Sequence, residues 1–188
     1  FVELSQAHET IEVKDYVIEA FRVNHNVICY GYSLVVKRAG RFSPEKAEQN
    51  NVPKELWSKL QKGATIEKNG QVFTPDLILG PRRKGIKVTY CTDTRPVDAI
   101  VEKADLFICE GMYGEKGKEA KALEHKHMTF YEAANLAKRA NVKELWLTHY
   151  SPSLIYPEEF MKDTREIFAA AKAGKDKKSI TLEFDKNE

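Results

Sequence analysis

Three cysteines in 188 residues, Cys29, Cys91 and Cys109, are too few and too widely spaced for a disulfide framework. Each sits in an apolar run, where a reduced core thiol belongs, so a cysteine-type zinc site is not expected either. No stretch approaches the roughly 20 apolar residues of a membrane-spanning helix. The start, Phe1-Val2-Glu3-Leu4, lacks the basic and then apolar layout of a signal peptide. The expected location is cytoplasmic, with no membrane partner. The initiator methionine is also missing, and the first residues read as part of a strand, so a piece of a longer protein is expected. What is present, 42% hydrophobic and 31% charged residues, is the composition of a globular domain rather than of a disordered or collagen-like chain. A net charge of +2 neither demands nor excludes a polyanionic partner, which leaves that question to local charge.

Up to Val36, apolar residues such as Ile11, Val13, Val17, Ile18 and Phe21 alternate with polar ones near the period of two, which predicts several strands. Ser43-Pro44 is a helix start running to about Gln49, and Pro53 opens a second helix carrying Leu56, Trp57 and Leu60 toward Gly63. The stretch from Lys37 to Gly70 has little apolar mass and reads as an insertion. Val72 to Leu79 is expected to add a strand pair, and Gly80 to Gly85 a turn into a strand at Ile86–Cys91. Beyond it the pattern predicts a helix near 97–103, a buried strand at Leu106–Cys109, a glycine-rich loop and a helix from about Thr129 to Ala140. A strand at Leu145–Leu147, a helix from Pro157 to Ala171 and a closing strand at Ile180–Phe184 complete the expectation. A strand meander followed by alternating strands and helices argues for a mixed sheet covered by helices, an α+β arrangement.

Three polar residues stand where apolar strands run out: His25, Asp93 after Val88-Thr89-Tyr90, and His149 after Leu145-Trp146-Leu147. Ends of strands sharing a sheet converge, ligands collect there, and imidazole with carboxylate is a donor set zinc accepts. Singly, each has an ordinary structural reading: a hydrogen-bonded histidine, or a helix cap in the case of Asp93.

Read together, Thr92-Asp93-Thr94, Leu147-Thr148-His149-Tyr150-Ser151-Pro152 and His127-Met128-Thr129 resemble the ribonuclease Z family, which trims the 3′ end of precursor tRNA. The resemblance runs from about His8 to Phe184 and implies a metallo-β-lactamase-type αββα sandwich, here mainly its C-terminal half, as a single partial domain. It implies that Asp93 bridges two zinc ions and that His149 and His25 each bind one; manganese is the other metal considered. A hydroxide shared by the two ions would then be the nucleophile. It further implies that His127 protonates the leaving oxygen and that Glu110, in Cys109-Glu110-Gly111-Met112, holds His127. The family's His-x-His-x-Asp-His string, which supplies most of the metal ligands, does not occur in this chain.

The insertion at 37–70 corresponds to the family's projecting arm, an exosite for the tRNA body. Its eight basic residues against four acidic ones make phosphate contact the expected role, with Lys37, Arg38, Arg41, Lys46 and Lys59 as candidates. A zinc-dependent endonuclease acting on precursor tRNA as a homodimer, and active only with the upstream portion present, is thus the principal reading. The alternatives are a hydrolase of a small phosphodiester or ester on the same fold, and a non-catalytic fragment without the upstream metal motif.

Overall fold

The computed structural model describes residues 1–98 and 101–186. The chain divides into two compact units, residues 1–36 with 86–184, and residues 37–85 with 185–188.

In the first unit, β1 (His8–Val13) turns at Lys14-Asp15 into β2 (Tyr16–Arg22), which pairs antiparallel with β3 (Tyr30–Arg38). The meander read from the alternation is therefore present, although it begins at His8 and not at the first residue. Within the second unit, α1 (Pro44–Gln49) is capped by the Ser43 hydroxyl and α2 (Lys54–Gln61) follows Pro53. The hairpin that follows is β4 (Ile66–Lys68) with β5 (Gln71–Phe73), earlier than the strand pair expected at 72–79, and Pro75–Leu77 is a single 3₁₀ turn. Asn69 and Gly70 at the hairpin tip both have positive φ, which allows so short a reversal. This unit has its own small core of Ala47, Val52, Leu56, Leu60, Phe73 and Ile78.

β6 (Arg83–Tyr90) returns to the main sheet, which continues through β7 (Leu106–Glu110), β8 (Leu145–Thr148) and β9 (Ala171–Ala173) in the order β1-β2-β3-β6-β7-β8-β9. The last four strands are parallel. Between them lie α3 (Glu119–His125), α4 (Phe130–Arg139) and α5 (Met161–Ile167). Cross-strand register puts Thr89 beside Phe107, Phe107 and Cys109 beside Leu145 and Leu147, and these beside Ala171 and Ala173. That face carries the main core, closed by Ala133, Ala134, Leu136 and Ala137 of α4 and Met161 of α5. Alanines on α4 allow the helix to lie close to the strands, and a capping box between Thr129 and Glu132 fixes where it begins.

Several sequence expectations are corrected. The helix expected near 97–103 includes residues 99 and 100, which lie outside the described residues, while 101–103 form a turn. α3 occupies a stretch read as loop. The helix expected over 157–171 is a 3₁₀ turn at Pro157–Phe160 and then α5, which stops where Phe168 becomes extended. Ala171 and Ala173 then pair with Leu145 and Leu147 as a strand. The run Ala169 to Ala173 favours helix by propensity, but ladder hydrogen bonds and burial of two small side chains outweigh it. Ile180–Phe184 forms no strand, and Ile180 and Phe184 stay exposed. Tyr90 is exposed together with Tyr16, Tyr32 and Leu34, whereas Leu145, Trp146 and Leu147 are buried, Trp146 beneath the ammonium of Lys178.

Candidate metal and phosphodiester site

β6, β7 and β8 are adjacent and parallel, so their C-terminal ends deliver Asp93, Glu110 and His149 to one edge of the sheet. His149 Nε2 lies 2.7 Å from Asp93 Oδ1. His149 has φ of +50°, a left-handed conformation that a β-branched or bulky side chain adopts only when its surroundings impose it. His127 arrives from the segment between α3 and α4, with Nδ1 3.7 Å from the same Asp93 oxygen. One ligand atom each of Asp93, His127 and His149 lies within 4.8 Å of the others. The ring of His25, beyond the end of β2, is centred 5.3 Å from the His127 ring and tilted 51° to it, and the His149 ring is centred 6.0 Å from the His127 ring. Five residues singled out in the sequence thus stand together, three imidazoles and two carboxyl groups.

Tautomers follow from the partners. His25 Nδ1 is 3.2 Å from the carbonyl of Lys126; a carbonyl only accepts, so Nδ1 carries the proton and Nε2 keeps a lone pair for another partner. A ring nitrogen held in this way by a backbone carbonyl is the usual support of a metal-binding histidine. His127 Nδ1 lies 3.1 Å from Glu110 Oε2. Glu110 is fully buried and accepts two backbone N–H groups, Thr94 at 2.6 Å and Met128 at 2.9 Å. It therefore ties the loop of Asp93 to the loop of His127. Burial pushes the Glu110 carboxyl up to about 8, against the two backbone donors that draw it down. Burial also lowers His127, with Asp93 opposing. Both groups are thus pushed toward their neutral forms.

The donor chemistry fits a divalent metal. Ligand atoms around a tetrahedral zinc, at about 2.0 to 2.2 Å from the ion, are roughly 3.4 Å from one another, and the distances of 2.7 Å and 3.7 Å from Asp93 Oδ1 to His149 Nε2 and His127 Nδ1 lie on either side of that spacing. Asp93 and His149 could contribute to one ion and His25, through Nε2, to a second, while His127 beside them is engaged at Nδ1 by Glu110. Three protein ligands are the usual minimum for each zinc, so two ions would need donors beyond those of this chain.

The five basic residues expected to contact phosphate all lie in the second unit. Arg41 and Lys59 are exposed there. The ammonium of Lys46 donates to the Leu79 carbonyl at 2.7 Å, and Arg38 donates to the Asp185 carbonyl at 2.8 Å, so both carry structural bonds as well. Arg83, not singled out from the sequence, donates to the Ala39 carbonyl and has its pKa lowered by burial and by Arg38 and Arg41. It belongs to the same cationic group. Arg95 is the other residue missed; two positions after Asp93, it is distinguished only by its partners in space.

Two curated relatives are similar to this chain along its length. A protein named ribonuclease Z from Lachnoclostridium phytofermentans is 73% identical over 100% of this chain, and one from Agathobacter rectalis is 59% identical over 99% of it. The chain is homologous to ribonuclease Z along its whole length. It spans 63% and 62% of those two relatives, which fits the C-terminal portion inferred from its motifs. No protein-family model matches it. Among solved structures, the short form of human tRNase Z aligns over 95% of this chain and 48% of its own, with a TM-score of 0.57 at 20% identity. The metallo-β-lactamase fold protein YhfI from Bacillus subtilis aligns over 91% of this chain and 52% of its own, with a TM-score of 0.55 at 19% identity. The ribonuclease Z homologue therefore has the metallo-β-lactamase fold, represented here by a mixed sheet with covering helices.

Proposed function

We propose that this chain supplies the C-terminal part of a metal-dependent phosphodiesterase of ribonuclease Z type that cleaves precursor tRNA at its 3′ end. The observation that carries the reading is the junction of Asp93, His25, His127 and His149, with Glu110 buried behind His127. Asp93, His149 and His25 would hold zinc, with manganese as the alternative. Bound metal would supply Lewis acidity toward the phosphate and a hydroxide nucleophile near neutral pH. The chain's own residues account for the rest. Glu110 fixes the His127 ring through Nδ1, leaving Nε2 to deliver a proton to the departing 3′ oxygen. Asp93 stands between two imidazoles and balances positive charge at the site.

Residues 37–70 would act as the arm that binds the tRNA body, Arg41 and Lys59 through exposed cationic groups, together with Lys37, Arg38 and Lys46. The assembly proposed is a homodimer in the cytoplasm. No helix among the described residues is long and apolar enough to cross a membrane.

The test joins this chain to the part of a relative that it does not match and measures cleavage of a precursor tRNA with a 3′ trailer, with zinc or manganese added. Cleavage at the trailer junction that is lost on Asp93→Ala supports the reading. Turnover of bis(p-nitrophenyl) phosphate without tRNA cleavage would favour a hydrolase of small phosphodiesters, and absence of both would leave a non-catalytic chain.

A further inference from the structure

Arg95 is placed to organise the site without entering it. Its guanidinium is only 16% exposed and forms a two-pronged ion pair with Glu132, the residue whose carboxylate also accepts the Thr129 N–H at 2.9 Å at the start of α4. The same guanidinium donates to the carbonyl of His127 at 2.5 Å. Its backbone N–H donates to the carbonyl of Asn24 at 3.0 Å, beside His25, and the Thr94 hydroxyl accepts from Asn24 N–H at 3.1 Å while donating to the Arg95 carbonyl. One residue, two positions after Asp93, therefore connects the segments that carry His25 and His127, whereas His149 hangs from β8 and has no bond to it.

We propose that Arg95 is a positioning residue for the His25–His127 pair: its guanidinium, held by the α4 cap, sets the backbone of His127, and its main chain sets the strand end that bears His25. For catalysis this inference rests on the proposed phosphodiesterase reading; for the placement of the two imidazoles it does not. An arginine is required because the planar fork serves Glu132 and the His127 carbonyl at once, and an ammonium is a single point of charge. Misplacement of a reacting group by about 1 Å costs on the order of 100-fold in rate.

The structural arm of the test uses this chain, metal-free, with imidazole nitrogen–proton correlation spectra. Arg95→Met is expected to move the His25 and His127 signals and leave those of His8 and His149 in place. Glu132→Gln, which loosens the same fork from its other end, should move His127 in the same direction by less. Unmoved His25 and His127 signals, or equal movement of all the histidines, would overturn the proposal.

The catalytic arm uses the joined protein. Arg95→Met should lower kcat on precursor tRNA by about 100-fold with KM within about twofold, and lower the rate on bis(p-nitrophenyl) phosphate, whose leaving group needs no proton, by a clearly smaller factor, the part due to displaced His25 alone. Arg95→Lys should recover part of the tRNA rate. Equal losses on both substrates overturn the role in placing the proton donor. If the unaltered protein cleaves neither substrate, the phosphodiesterase reading fails, and the spectra still decide whether Arg95 places the two histidines.

Discussion

Glu110→Gln is the substitution whose outcome the geometry fixes most closely, because the side chain keeps its shape and only its hydrogen-bonding capacity changes. The carboxyl group has no exposed surface and meets two backbone N–H groups, Thr94 at 2.6 Å and Met128 at 2.9 Å, and His127 Nδ1 at 3.1 Å. A glutamine offers one acceptor oxygen and one NH₂. In either amide orientation, one of the two backbone donors then faces another donor, and neither can turn to water. His127 can adapt by moving its ring proton to Nε2, but the backbone groups cannot. A buried donor without an acceptor costs about 1 to 3 kcal/mol. For a chain of this length that is a Tm lower by roughly 3 to 12 °C. The assay is thermal unfolding of the 188-residue chain followed by circular dichroism, with His127→Asn as the comparison. The asparagine variant leaves Glu110 with both backbone donors and should lose less. A Glu110→Gln Tm within about 2 °C of the unaltered chain would refute the argument that Glu110 pins the two loops together.

Cys91 and Cys109 are fully enclosed and burial raises both thiols, while Cys29 is half-buried and raised by burial and then by Asp93. Alkylation at pH 7.5 read by mass spectrometry should therefore label Cys29 slowly and the other two only after denaturation; fast labelling of Cys109 would contradict its place under α4. Gly111 adjoins the Phe130 ring so closely that an added Cβ would lie 2.8 Å from it. Gly111→Ala should cost about 1 to 3 kcal/mol by overpacking, visible as a lower midpoint in urea. Thr129→Ala removes one half of the α4 capping box and should cost about 1 kcal/mol, with an unchanged urea midpoint counting against the cap. Replacing both Arg41 and Lys59 by alanine should weaken tRNA binding and flatten its dependence on salt by up to about two charges' worth of slope; unaltered slope would remove the arm from the interface.

Patterning was sufficient where a segment's own period agreed with its surroundings. β2, β3, β7, β8 and α4 are legible because alternation, unbroken apolar runs and a Thr-x-x-Glu start each correspond to one structure that buries the same residues. The family strings likewise single out His25, Asp93, Glu110, His127 and His149, which the fold brings near one another. Where local and tertiary preferences differ, the sequence misled: Ala171–Ala173 is helix-prone but is a strand because β8 offers an open ladder, and Ile180–Phe184 alternates but finds no partner strand.

What the sequence by itself determined is the chemistry on offer, namely which residues can bind metal, move a proton or meet phosphate, and which strand ends they follow. Only the tertiary structure decided how these residues are held. The left-handed backbone at His149, the Lys126 carbonyl that sets the His25 tautomer, the burial that shifts Glu110 and the fork of Arg95 all depend on contacts between segments far apart in the chain. Such contacts leave no local pattern, since a side chain's charge state and orientation follow from the atoms packed around it in space.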